Sequence, residues 1–314
     1  MNIQRKLFVA FALAAVAANA GDFRVATEGG RTEIQQAIDA AAAAGGGRVV
    51  VAPGVHPIGT LRLKSHVELH LEKGAVLLGG TKRDDYDGID FDACRRVRVG
   101  NSHFKTGDDC IILRAMREWK DEHVVCEDFV VSNCVLNSRC QSIRMGAPSD
   151  DTIRNALFKD IKMSGNNGIF FDYPIRYTRP YDEGYMDVSN IVFDGFEGSS
   201  YGSSVQIVAE PGIKIRGVRD VTFKNFNVKC ARPLRFIGNH DSILSNIRLE
   251  NFTAEVKAKT PLEAVATEPL TFRNCRFNGA KMPDGDLVTP RGKRKPFVRA
   301  RGGSWETLNQ STAK

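Results

Sequence analysis

The chain has 314 residues, 42% of them hydrophobic and 26% charged, with a formal net charge of +7. That is enough apolar material for a sizeable core, which excludes a disordered chain, and the length fits one large domain or two ordinary ones. Eight Lys or Arg between Lys281 and Lys314 face only Asp284, Asp286 and Glu306, so five of the seven net positive charges fall in the last segment. A basic tail with no recognition module before it argues against a nucleic-acid partner.

Taken from the front, "MNIQRKLFVAFALAAVAANA" has Arg5 and Lys6, then the apolar run Leu7 to Ala17, then Ala18 and Ala20. This order predicts a secretory signal over residues 1–20, with an apolar run short for a bilayer span. A short membrane anchor is the alternative. The expectation is a secreted or periplasmic chain, off the membrane once the signal is removed.

"TEIQQAIDAAAAAGGG" predicts a helix. Thr32 and Gln35 stand at capping-box spacing, Ile34, Ala37, Ile38 and Ala41 share a face, and Gly45 stops it. Its predicted role is to cover an open end of a β-coil stack. The stretches "RVVVAPGVH" and "GTLRLKSHVELHLEKGAVLLGG" then read as strands broken at Pro53-Gly54 and Gly74.

From Asp87 onward one theme returns. "VRVGNSHF", "FVVSNCVL", "ALFKDIKM", "IVFDGF", "VTFKNFNV", "IRLENFTA" and "LTFRNCRF" share a polar or glycine position at Asn101, Asn133, Asp160, Gly195, Asn225, Asn251 and Asn274, at separations of 32, 27, 35, 30, 26 and 23. Alternating strands at such a period predict a solenoid of β-coils, with the recurring residue stacking on its equals in left-handed turns. A β-sandwich would space strands more closely and leave the recurring Asn unexplained. The fold class expected is all-β, a right-handed single-stranded parallel β-helix over residues 21–280, with residues 281–314 a loose basic tail.

"FKTGDDCIIL" presses Asp108 against Asp109 between a turn and a strand. Adjacent carboxylates raise one another's proton affinity, which costs stability unless it is used or neutralised. Asp87 precedes Asp108 by 21 residues, close to one coil, so all three acids can share a wall. Arg139 and Arg144 follow on the next coil. Three acids with guanidinium groups suit glycosidic hydrolysis, in which a protonated acid serves the leaving oxygen and an ionised one activates water. The plainer reading is an ordinary Asp-Asp turn, one side chain on backbone N–H groups and the other paired with Arg139.

The seven cysteines are an odd number without zinc-ribbon spacing, and several lie in strand patterns, so free core thiols are expected. The six histidines show no ligand spacing and read as isolated surface or turn residues. "YPIRYTRPYDEGY", from Tyr173 to Tyr185, reads as an excursion in which Tyr173 stacks on sugar rings, or packs over the coil edge, and Arg176 and Arg179 meet carboxylates.

"DGIDFDACRRVRVGNSHFKTGDDCIIL" resembles the central block of glycoside hydrolase family 28, the polygalacturonase-like enzymes, and the helix and first strands resemble that family's opening. The resemblance implies a right-handed parallel β-helix that hydrolyses pectic, uronate-containing chains with inversion, needing no metal or cofactor. It casts Asp108 as general acid and Asp109 and Asp87 as holders and activators of the water. Three features depart from the family. Its Gly-His-Gly falls on Ser138-Arg139-Cys140, its Arg-Ile-Lys clamp falls on Phe170-Phe171-Asp172, and "GGTKRDDYDGID" joins opening to acids almost directly. Arg139 and Arg144 are the candidates to make up the clamp. Two other functions fit the fold: a polysaccharide lyase with Arg139 as base and calcium on Asp108 and Asp109, and a glycan binder without turnover.

Overall fold

The computed structural model describes residues 21–79, 87–117, 123–146, 148–173, 186–289, 298–301 and 304–307. The signal expected over residues 1–20 lies outside the described residues, as do Arg176 and Arg179. The chain divides into two compact units that part at Leu78.

In the first unit, β1 (Asp22–Val25), β2 (Gly47–Val51) and β4 (Val67–Leu71) form a parallel sheet, and β3 (Gly54–Ile58) pairs with β5 (Ala75–Gly79). The predicted helix is present as α1 (Arg31–Ala43). It turns Ile34, Ile38 and Ala41 onto Val25, Val49 and Val51, the 3.6-residue spacing meeting the period-2 face of the sheet. Its start differs from the expected capping box. Gly30 is the N-cap, and Glu33 takes the Gly30 N–H at 2.8 Å. Gln35 faces elsewhere, its amide exchanging hydrogen bonds with the backbone of Arg62 at 2.8 and 3.1 Å. His56 is also not a surface residue. It is fully buried, with its ring nitrogens against the carbonyls of Gly29 and Ala52.

The second unit begins with β6 (Ile89–Asp92), β7 (Arg95–Gly100), β8 (His103–Thr106) and β9 (Ile111–Arg114). Two long strands follow, β10 (Val125–Gly146) and β11 (Thr152–Tyr173). Then come β12 (Asp187–Ser200), β13 (Val205–Ala209), β14 (Gly217–Cys230), β15 (Leu234–Ile237), β16 (Leu244–Val256), β17 (Leu262–Val265), β18 (Thr267–Arg273) and β19 (Arg276–Phe277). Their pairings with one another are parallel. The antiparallel partners are β20 (Ala280–Lys281) on β19 and β21 (Gly285–Leu287) on β18. In the tail, β22 (Val298–Arg301) and β23 (Ser304–Thr307) pair antiparallel, so part of the segment expected to be loose is ordered as strands.

The register follows the repeat read from the sequence. Val97, Phe129, Ala156, Ile191, Val221, Ile247 and Leu270 pair in succession, one from each theme. The recurring polar position is left-handed at every coil, with φ from 50° to 58° at the Asn and Asp residues and 75° at Gly195. Asn and Gly tolerate this region, which most side chains avoid. Along the stack, Asn133 donates to Asn101 at 2.7 Å, Asn251 to Asn225 at 3.1 Å and Asn274 to Asn251 at 2.9 Å. Gly195 interrupts this ladder, and Asn225 donates to Asp194 instead. A second left-handed row lies five residues earlier, at Asp128, Asn155, Asn190, Asp220 and Asn246, bonded through Asn155 to Asp128 and Asn190 to Asn155.

Aromatic residues fill the interior in two columns. Phe158, Phe193 and Phe223 stack at centroid separations of 4.9 and 5.0 Å, and Phe196, Phe226 and Phe252 at 4.8 and 4.7 Å. The strand spacing of about 4.8 Å sets these separations, so one inward Phe per coil forms a continuous stacked column. All seven cysteines are free thiols, five of them buried.

Candidate functional site

The acids meet where β6, β8 and β10 bring three coils together. Asp87 stands just before β6, and its Oδ1 accepts the Asp109 N–H at 3.1 Å. The strand register sets this match: Ile89 pairs with Ile111, an offset of 22, which puts Asp87 opposite Asp109 and not Asp108. Gly88 makes the approach possible. Its N–H donates to the Asp109 carbonyl at 2.8 Å, and a Cβ there would come within 2.2 Å of the Cys110 carbonyl oxygen.

Asp108 and Asp109 follow β8. Thr106 Oγ1 and Ser138 Oγ each donate to the Asp108 carbonyl at 2.6 Å, tying the turn to the next coil. That coil carries a β-bulge between Ser138 and Gln141, where β10 has one residue more than β11. The bulge consists of Arg139 and Cys140, and bulges of this kind re-aim side chains beside sites. With Ser138 paired to Thr106, the residue at the Asp108 level is Cys140, not Arg139. Donor atoms of Asp108, Asp109 and Cys140 all lie within 4.8 Å of one another. Arg139 is exposed and forms no ion pair among the described residues.

Asp109 is buried, 1% exposed. Its Oδ1 accepts the Gln141 N–H at 3.0 Å and its Oδ2 accepts Arg144 Nη1 at 3.1 Å. Arg144 is itself buried, and its Nη2 donates to Asp172 Oδ2 at 2.9 Å. Arg144, expected as a substrate contact, has its guanidinium shared between two buried acids. Asp172, read in the sequence as the loss of a clamp cation, is the second of those acids. An additional pair, Arg114 with Asp90 at 3.2 Å, lies on the adjoining strands.

The electrostatics distinguish the three acids. Burial raises the Asp109 pKa to about 6, more than the Arg144 charge and its hydrogen bond lower it, and the Asp108 and Asp87 charges add to the rise. Asp87 is an exposed residue, yet crowding of its carboxyl and the Asp108 charge raise its pKa too. Asp108 is half-buried. Burial pushes the Cys140 thiol up, as do the Asp109 charge and the nearby Asp108 carboxyl.

Tyr173 ends β11 with only 4% of its surface exposed, and its hydroxyl has no hydrogen-bond partner among the described residues, which accords with the packing alternative for this residue and not with stacking on a sugar. Sequence reasoning missed Cys140 and the Arg144–Asp172 link. The signal for Cys140 was present, since it stands seven residues after Asn133, as Asp108 does after Asn101.

The donor set does not suit calcium. Cys140 supplies sulfur, a poor ligand for a hard cation, and Asp109 is already committed to Arg144 and Gln141.

No family model matches the chain, and no curated protein matches it in sequence. Solved structures do resemble it. A hyperthermoactive exopolygalacturonase from Thermotoga maritima aligns with 86% of this chain and 95% of its own at 13% identity and a TM-score of 0.56. PfbA, a surface adhesin of Streptococcus pneumoniae, aligns over 90% and 97% at 12% identity and a TM-score of 0.42. The A-module of the Azotobacter vinelandii mannuronan C-5 epimerase AlgE4 aligns over 81% and 94% at 14% identity and a TM-score of 0.30. At such identities the first likeness bears on fold alone, that of the parallel β-helix proteins.

Proposed function

We propose that the chain is an exported glycoside hydrolase of the polygalacturonase-like kind, a right-handed β-helix that cuts a pectic polysaccharide by inverting acid–base hydrolysis. The observation that carries this reading is the convergence of Asp87, Asp108 and Asp109 from successive coils, with Asp87 bonded to the backbone of Asp109 and the Asp108 and Asp109 carboxyl groups gathered around one thiol.

On this reading the three acids take distinct tasks. Asp108, half-buried, is the group able to reach a glycosidic oxygen and give it a proton. Asp87, exposed on the neighbouring coil, takes a proton from water as that water attacks the anomeric carbon from the opposite side. Asp109 is too buried to meet the sugar. It is a positioning residue that fixes Asp87 through its N–H and carries the Arg144 charge beneath the site.

The test is release of reducing ends from a panel of pectic polysaccharides by the purified wild type and by Asp108→Asn. The reading expects turnover that falls by about 10²- to 10⁴-fold in the variant, the usual contribution of a general acid. Absence of cleavage on the whole panel, or an untouched rate in Asp108→Asn, defeats it. A second reading is glycan binding without turnover, favoured by the Asp109–Arg144–Asp172 network, which neutralises one of the three acids. Binding that persists with no new reducing ends selects it.

A further inference from the structure

The sheet face next to the acids is built from β6, β9, the ends of β10 and β11, then β13, β15 and β17. Inward positions are apolar, so charged side chains stand on the outer surface. On that surface Arg114 meets Asp90, Arg144 meets Asp109 and Asp172, and Arg235 meets Glu263 at 3.1 Å. Asp87 and Asp108 form no ion pair among the described residues; the Arg114 and Arg144 charges act on Asp87 while already paired elsewhere, and Arg139, exposed on the bulge, is unpaired among the described residues. A uronate placed here would meet two unpaired acids, Asp87 and Asp108, against Arg139 as the one unpaired guanidinium beside them among the described residues, and would add to that excess of negative charge.

The apolar side chains of the same face point the same way. Phe170 lies beside Arg144 in register and is half-buried, and Val208 and Ile237 follow Asp172 along the next row, also half-buried. A half-open aromatic ring with aliphatic neighbours, on the same face as the acids and in register with the paired Arg144, is a surface for the apolar face of an uncharged pyranose.

We propose that the glycosyl unit lodged against Asp87 and Asp108 is uncharged, so that the site takes a neutral or esterified sugar unit and disfavours a run of free uronates. This rests on the reading of the site as glycan-acting and narrows its substrate class. The contrast that tests it keeps the backbone and changes only charge: polygalacturonate against its fully methyl-esterified form. Affinity is measured by calorimetry on the wild type, a readout independent of cleavage.

The expected result is binding at least about tenfold tighter to the esterified polymer, with the gap closing as salt is raised, because screening removes repulsion and leaves the apolar contacts. Phe170→Arg, which restores a cation at the face, is expected to narrow or invert the preference. Equal or tighter binding of the free uronate polymer, weakened by salt, overturns the proposal, as does failure of both polymers to bind. Binding with the predicted preference but without cleavage sinks the hydrolase reading and leaves this one standing.

Discussion

Asp109 shows how one residue's burial sets both chemistry and stability. Its pKa in the folded chain is about 6, against 3.8 for an ordinary aspartate, so between about pH 4 and pH 6 the folded state holds a proton that the unfolded chain has released. Stability from this group therefore falls as pH rises through that window, by an amount on the order of 3 kcal/mol. Asp90, raised to about 6 by burial against the opposing Arg114 charge, acts in the same direction. Urea midpoints of the wild type are expected to drop between pH 4 and pH 6, and Asp109→Asn to show a shallower drop. An identical slope in the variant contradicts the assignment. At this scale the acids themselves were legible, because like charges side by side ask for an explanation. Their partners were not: Arg144 and Asp172 are 28 residues apart, and which acid an arginine reaches depends on side-chain direction, not on spacing.

Among the elements, the left-handed rows carry the most information. The recurring Asn at irregular separations was enough to fix the pairing register, since only one alignment puts every such residue at a bend. The second row was not recognised because Arg96, Asp128, Asn155, Asn190, Asp220 and Asn246 share a conformation but less of a sequence pattern. Gly195 tests the rule. With φ at 75° and Asp160 Oδ1 only 2.9 Å from where a Cβ would stand, a β-branched side chain would be strained, whereas Asn suits the conformation and needs only a mobile, exposed carboxylate to shift. Gly195→Val is expected to cost at least about 1 to 3 kcal/mol in denaturant unfolding, and Gly195→Asn to stay within about 1 kcal/mol of wild type. Equal effects contradict the account of the ladder. The helix was legible in its buried face, while its N-cap was missed because a glycine start leaves only the Glu33 half of the capping box to see.

Over the whole molecule, charge is unevenly placed: the sequence carries a net +7, yet among the described residues Arg114, Arg144 and Arg235 on the strands of the acid-bearing face are each paired with carboxylates. The stacked parallel strands were legible from periodicity, since a coil that repeats must pair with its copy. The division at Leu78 was not, because strand patterns run through it without a compositional break. The stack matters to function because it is what joins residues 21 and 22 positions apart into one site. The most direct measurement is therefore the coupling between coils, read as initial rates of Asp87→Asn, Asp108→Asn and the double variant on the glycan that the wild type cleaves. Groups acting as one unit give single losses of about 10²- to 10⁴-fold and a double loss little larger than either. Losses that multiply, or a single variant that keeps the full rate, contradict a shared site.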